Sequence, residues 1–306
     1  MQKKSVLITG ASGFAGKHLT RKLISENFDV IALVGKKLDT TQSPFADSIQ
    51  VIAQDLSVPT DFSLPHVDYI VHMASITPQA GRKHSLSDND ILKINQDINN
   101  NVFKLVQALK PSRTLFVSSC AVYKQTTELM NEDSPQKDSP DGYSLSKQEL
   151  EHLAKRLSQL GCEIVVARPF NHIGPGQPQG FIVPDLFRKL SEDPTKIEVG
   201  DMSQLRDYVD VRDIADAYHT LLFSPNILNG DVFNVSSGVP RSSDEILEVL
   251  VRVAESSPII NRTSSDKPDQ NNSIVGSSQK INSTTGWTAK ISTEQSIRDY
   301  IRLLGL

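Results

Sequence analysis

Apolar residues fall along this chain in two alternating kinds of run. Short unbroken runs at residues 5–9, 30–34, 49–53, 68–75, 114–117 and 163–167 predict strands buried on both faces. Between them, residues 17–26 and 90–110 keep helical spacing, the second through Ile91, Ile94, Ile98, Val102, Leu105, Val106 and Leu109. Past residue 143, Leu150, Leu153, Ala154, Leu157 and Leu160 continue one helical face, and Gly161 is placed to stop it. Later come a helix at 181–190, a strand at 196–199 and a strand running into a helix over 205–213. A strand at 231–236 and a helix at 244–254 with Ile246, Leu247, Leu250 and Val251 inward follow. Residues 256–283 turn rich in Ser, Asn, Asp and Gly and read as a linker or loop, before a turn at Trp287 and a final amphipathic helix. Strands alternating with helices predict the α/β class, a parallel sheet covered by helices.

Length and composition narrow the picture. A chain of 306 residues can hold one large α/β domain carrying a smaller one. The expected division is a first domain over 1–170, joined again by residues of about 205–240, and a second lobe mainly over 171–306. A net charge of −4 argues against a general nucleic-acid surface. Cys120 and Cys162 form no CxxC pair, so neither a disulfide framework nor a zinc site is expected, and the cytoplasm suits the chain. The apolar run near the N-terminus is too short for a signal peptide or a membrane span, so no membrane partner is expected.

The first strand runs directly into Gly10-Ala11-Ser12-Gly13-Phe14-Ala15-Gly16 and then a helix. Strand, glycine turn and helix in that order predict a dinucleotide site: Gly10 turns the chain, Gly13 admits a pyrophosphate, and Gly16 lets helix and strand pack. Gly10, Gly13, Phe14, Ala15 and Gly16 are the candidate cofactor residues, and the implied fold is a Rossmann-type doubly wound parallel sheet with a smaller C-terminal α/β substrate lobe. The second strand lacks the acid that would accept hydrogen bonds from an NAD ribose. Lys36 and Lys37 follow it instead, with Asp39 as a residue that could curl back, so NADP(H) is favoured and NAD(H) stays possible.

Candidate chemistry lies in Asp141-Gly142-Tyr143-Ser144-Leu145-Ser146-Lys147. On a helix, Tyr143 and Lys147 face one space, and a nearby ammonium is expected to bring the phenol towards the working pH for proton transfer.

Gly10-xx-Gly13-xx-Gly16 with Tyr143-xxx-Lys147 resembles the extended short-chain dehydrogenase/reductases, whose members mostly act on sugar nucleotides. The resemblance implies that Asp55 and Leu56 lie beside the adenine, that Ala74 borders the cofactor's phosphates, and that Asn95 supports the site from its helix. By the pattern S-S-x-x-V-Y it makes Ser119 the catalytic serine, Ser118 being the alternative occupant, while Lys124 departs from the usual glycine. Dehydratases of the family carry T-D-E here; Cys120 and Ala121 stand at the places of those acids, which leaves reductases, dehydrogenases and epimerases. His72 is assigned no chemistry.

The segment Arg168-Pro169-Phe170-Asn171-His172-Ile173-Gly174-Pro175-Gly176-Gln177 resembles the 4-keto-6-deoxyhexose reductases of that family, GDP-4-keto-6-deoxy-D-mannose reductases among them. By this resemblance Pro169 borders the nicotinamide, Asn171 holds the substrate's diphosphate and Arg206 meets it too. Ser119 binds both as catalyst and as substrate contact, Asp213 caps a helix, and Arg262 or Lys267 contacts phosphate or ribose. The helices over 90–110 and after Tyr143 would pair two copies into a homodimer. The reading reached is reduction of a C4 ketone on a GDP- or dTDP-linked 4-keto-6-deoxyhexose by Ser119, Tyr143 and Lys147. The alternatives are a 4-epimerase retaining NAD and a non-catalytic NADP-sensing regulator.

Overall fold

The computed structural model describes residues 3–35, 49–59, 64–263 and 273–305. The chain runs through β1 (Ser5–Thr9), α1 (Phe14–Ser25), β2 (Asp29–Val34), β3 (Gln50–Ala53), β4 (Tyr69–His72), α2 (Pro78–Lys83), α3 (Asp88–Leu109), β5 (Arg113–Val117), α4 (Gly142–Gln159) and β6 (Ile164–Pro169). It continues through β7 (Asn171–Ile173), α5 (Ile182–Glu192), β8 (Lys196–Val199), β9 (Leu205–Asp210), α6 (Val211–Phe223), β10 (Asp231–Val235), β11 (Pro240–Ser242), α7 (Ser243–Val253), β12 (Ile259–Arg262), α8 (Gln279–Thr285) and α9 (Thr293–Leu303).

A 7-stranded parallel sheet has the order β10-β6-β5-β4-β1-β2-β3. The chain winds outward from β1 to β3, then crosses back to β4 on the other side of β1. Beyond the carboxyl ends of β1 and β4 the winding reverses, and open sheets of this kind bind ligands there. Helices cover both faces, which explains the unbroken apolar strands. On one face Leu19 and Leu23 of α1 and Tyr218 and Leu221 of α6 join the core of Val6, Ile8 and Val165. On the other, Ile98, Val102 and Leu105 of α3 and Leu150 and Leu157 of α4 meet Leu7, Ile70 and Phe116. Each large side chain so buried stabilises the fold by roughly 1.5–3 kcal/mol.

A second core, including Ile173, Leu186, Tyr208, Leu250 and Tyr300, lies among a 3-stranded sheet β11-β9-β7, the pair β12-β8, and α5, α7 and α9. Only Phe170 separates β6 in the large sheet from β7 in the small one. Within residues 205–240, α6 packs on α1 and β10 pairs with β6, whereas β9 and β11 belong to the small sheet.

Two expectations are corrected. Asp210, not Asp213, caps α6 by accepting from Arg212 N at 2.7 Å. Asp213 instead accepts from Lys290 N at 2.9 Å and Ile291 N at 2.8 Å, tying the C-terminal segment to α6. The stretch 256–283 is also more than a linker: it holds β12 and the start of α8, and Ile274 and Gly276 bridge to Arg206 and Met130. Residues 264–272, Lys267 with them, lie outside the described residues, while Arg262 pairs with Asp244 at 2.6 Å. Among the described residues no helix is long and apolar enough to cross a membrane.

Candidate active site

Thr9 ends β1, and Gly10 turns the chain at φ +74°, a left-handed backbone that favours glycine. A Cβ on Gly10 would stand 2.8 Å from Ala74 N, so the turn can approach the segment after β4 only because it is bare. In the first turn of α1, a Cβ on Gly16 would overlap the Gly10 carbonyl oxygen. Gly13 caps α1 without a side-chain hydrogen bond, and the first helical turn carries no acid. First-turn amides such as those of Phe14 and Ala15 therefore lack intrahelical partners, and with the helix dipole they favour an anion. These residues fit the pyrophosphate of a dinucleotide.

The loop after β7 roofs this turn. The Phe14 ring stacks on His172 with centroids 5.6 Å apart, and His18 Nε2 hydrogen-bonds the Pro175 carbonyl at 2.9 Å. Burial lowers the pKa of both imidazoles. Asp55 and Leu56 follow β3; Asp55 accepts from Ser57 N and Oγ at 2.9 and 2.6 Å, and Leu56 is buried in the sheet core. Lys36, with Lys37 and Asp39, lies outside the described residues.

Beyond β5 the chain delivers two serines with different partners. Ser118 Oγ donates to Glu151 Oε1 at 2.6 Å, whereas Ser119 Oγ accepts from Ala121 N at 3.1 Å and lies beside the Tyr143 hydroxyl. Helix α4 starts at the Asp141 cap, whose carboxylate accepts from Ser144 N at 2.8 Å, and this sets Tyr143 in its first turn. One turn on, Lys147 Nζ donates to the Val117 carbonyl at 3.0 Å and lies 5.7 Å from the centroid of the Tyr143 ring. The structure thus brings Ser119, Tyr143 and Lys147 together at the carboxyl edge of the sheet.

Burial governs their protonation. It pushes the Tyr143 phenol up to about 12, against the opposing hydrogen bond from Ser119. This reverses the lowering expected from a neighbouring ammonium, because desolvation of the phenolate is the larger effect. Burial likewise lowers Lys147 to about 8, with the Glu151 carboxylate opposing. Tyr143 therefore keeps its proton at neutral pH. Cys120, on the turn after Ser119, is a buried thiol pushed up to about 12 by desolvation and by Asp207, with Arg206 opposing.

Neutral polar groups tie the glycine-turn end of β1 to α4. Thr9 Oγ1 accepts from Met73 N and Ala74 N at 3.1 and 3.2 Å and meets His72 Nδ1 at 2.7 Å; His72 Nε2 meets Asn99 Oδ1 at 3.1 Å. Asn99 Nδ2 then donates to the Ser146 carbonyl at 3.1 Å. Because Asn99 donates through its nitrogen, its oxygen accepts, which places the His72 proton on Nε2. Burial, then the charge of Lys147, lowers His72 to about 3, so it stays neutral. Asn95 holds the backbone of Ile76 through both its amide atoms, at 2.7 and 3.0 Å, and donates to Ser146 Oγ at 3.2 Å.

Sequence reasoning missed the ion pair beneath the site. Arg168 of β6 donates from Nε and Nη2 to the two oxygens of Glu151 at 2.8 and 2.7 Å, with side chains only 6% and 10% exposed. The one signal in the chain was the place of Glu151, a helical turn beyond Lys147 on the same face. Pro169 ends β6, buried. Asn171 opens β7 opposite Tyr208, and Arg206 of β9 donates to the Leu205 carbonyl and Gln204 Oε1 at 2.8 Å each. Asn171 and Arg206 thus stand on the small sheet, Arg206 flanking the turn at Cys120, rather than within the cluster at Tyr143.

The sequence and the fold both have known counterparts. The family described as "NAD dependent epimerase/dehydratase family" matches residues 6–236. GDP-6-deoxy-D-mannose reductase of Pseudomonas aeruginosa is 30% identical over 308 aligned positions, covering 96% of this chain and 94% of that protein. A dTDP-4-dehydro-6-deoxy-D-allose reductase of a Streptomyces species is 29% identical over 72% of each chain. The solved structure of RMD from Pseudomonas aeruginosa complexed with NADPH superposes with a TM-score of 0.79 at 27% identity, covering 98% of this chain and 99% of that one.

Proposed function

We propose a function from one premise: the chain belongs to the NAD dependent epimerase/dehydratase family. The proposed reaction is reduction of the C4 ketone of a GDP- or dTDP-linked 4-keto-6-deoxyhexose to the 6-deoxyhexose. NADP(H) is the favoured cofactor and NAD(H) the alternative. The two reductases described above and the NADPH complex of RMD support this choice.

One observation carries it. Tyr143, its phenol pushed up to about 12 by burial, lies beside Ser119 and Lys147, while Cys120 and Ala121 put a neutral thiol and a methyl group on the neighbouring turn. Loss of water from a sugar needs a second acid–base pair, and that turn supplies none. Adding a hydride and a proton to a carbonyl needs one proton donor, which Tyr143 provides.

The glycine turn and the first-turn amides of α1 would hold the dinucleotide, which supplies the hydride delivered to C4. Ser119 Oγ and the Tyr143 hydroxyl would both donate to the ketone oxygen, where negative charge develops as the carbonyl is reduced. Tyr143 gives its proton to that oxygen, and the Lys147 ammonium, fixed by the Val117 carbonyl, stabilises the phenolate left behind. Water then reprotonates Tyr143. The small lobe is the proposed substrate lobe, with Asn171 and Arg206 on the diphosphate; a guanidinium suits phosphate geometry. A cytoplasmic homodimer paired through α3 and α4, which lie side by side on one face of the sheet, completes the proposal.

The test is incubation with a panel of GDP- and dTDP-4-keto-6-deoxyhexoses and NADPH or NADH, following loss of reduced-cofactor absorbance. Stoichiometric oxidised cofactor with a 6-deoxyhexose product is the expected result. Turnover without added nicotinamide would overturn the reductase in favour of an epimerase.

A further inference from the structure

The Glu151 carboxylate is a nearly buried charge that the mechanism above does not use, and its partners Ser118, Gln136 and Arg168 come from three separate segments. Its Oε1 accepts from Ser118 Oγ at 2.6 Å and from Arg168 Nε at 2.8 Å. Its Oε2 accepts from Arg168 Nη2 at 2.7 Å and Gln136 Nε2 at 3.2 Å. Arg168 in turn donates through Nη1 to the Tyr123 hydroxyl and the Glu132 carbonyl, both at 2.8 Å, and Tyr123 donates to Asn234 Oδ1 at 2.6 Å. Ser118 and Tyr123 lie on either side of the turn that begins at Ser119. Glu151 itself lies on α4, which carries Tyr143 and Lys147.

We propose that Glu151 is a positioning residue: together with Arg168 it clamps both ends of the 118–123 segment to α4 and so sets the Ser119 hydroxyl against Tyr143. Ser118 would otherwise be a buried hydroxyl with no role, and its bond to a carboxylate is of the strong, short kind. Removing one such bond to a charged group is enough to raise the population of a locally opened turn about tenfold. The kinetic consequence rests on the reductase reading; the clamp does not.

Cys120 gives a readout that needs no substrate. It is buried in the clamped turn, while Cys162 is partly exposed just past the far end of α4 and serves as the internal control. The experiment compares Ser118→Ala and Glu151→Gln with wild type. It measures alkylation of each cysteine by iodoacetamide with peptide mass spectrometry, then kcat and KM with NADPH and the turned-over keto sugar. Ser118→Ala keeps the ion pair intact and decides the matter if Glu151→Gln fails to fold. The expected result is about tenfold faster labelling of Cys120 with Cys162 unchanged, and a similar loss of kcat with both KM values within threefold. Unchanged labelling of Cys120 overturns the clamp. Faster labelling with undiminished kcat overturns the positioning role. If wild type turns over no keto sugar, the reductase reading fails while the labelling still decides the clamp.

Discussion

Replacing Lys147 by methionine is expected to stabilise the protein while abolishing its activity. Lys147 is only 4% exposed, and burial lowers its pKa from 10.5 to about 8. Between those values the unfolded chain binds more protons than the folded one, so stability rises with pH through that window, and below about pH 8 the full penalty of the buried charge applies. At ~1.4 kcal/mol per pH unit, the penalty is on the order of 3 kcal/mol at neutral pH. Lys147→Met removes it and forfeits the ammonium's bond to the Val117 carbonyl, worth about 2 kcal/mol as a bond to a charged group, for a net gain of about 1 kcal/mol. A chain of this size should then melt roughly 2 °C higher. Thermal melts of both proteins without cofactor, at about pH 7 and about pH 10, provide the assay. At the higher pH the wild-type lysine is mostly neutral and the gap should close. A variant that melts below wild type at neutral pH, or a gap indifferent to pH, would refute the view that desolvation outweighs the attraction of Glu151.

Tyr143→Phe should lower turnover by roughly 10²–10⁴-fold, with NADPH affinity by fluorescence titration nearly unchanged; full turnover would end the role of Tyr143 as proton donor. Gly16→Ala drives a methyl group into the Gly10 carbonyl, so the melting temperature should fall by an amount reflecting about 1–3 kcal/mol of overpacking, and NADPH binding should weaken with it. Arg206→Ala should raise KM for the nucleotide sugar about tenfold or more while leaving KM for NADPH alone; an equal change in both would move Arg206 away from the diphosphate.

The parts of the fold legible in the sequence are those whose period repeats often enough to be counted. The stripe through α3 and the unbroken run of β1 are of that kind. In contrast β7, β11, α2 and α8 are too short for a period to show, and β12 is exposed throughout, so its composition carries no burial signal. Residues 274–276 look like linker yet pair with Arg206 and Met130 and bury Val275, because a stretch this short among polar residues shows no period. Helix α1 begins at Phe14, three residues before the predicted start, because the glycine turn folds straight into the helix. At the site, the spacing of Tyr143 and Lys147 foretold their common space but not the direction of the Tyr143 pKa, which depends on burial that only the assembled sheet creates. The partner of Glu151 was hidden because Arg168 arrives from the next strand, where no spacing rule on α4 can reach it.

The single residue between β6 and β7 has a consequence for how such a protein can change. The backbone also passes from one sheet to the other at the junction of β9 and α6 and between β10 and β11, and α8 returns to pack on β10 before α9 rejoins the small lobe. Neither lobe is a continuous piece of chain. A lobe cannot be borrowed whole from a relative by one recombination event, nor released by one cut.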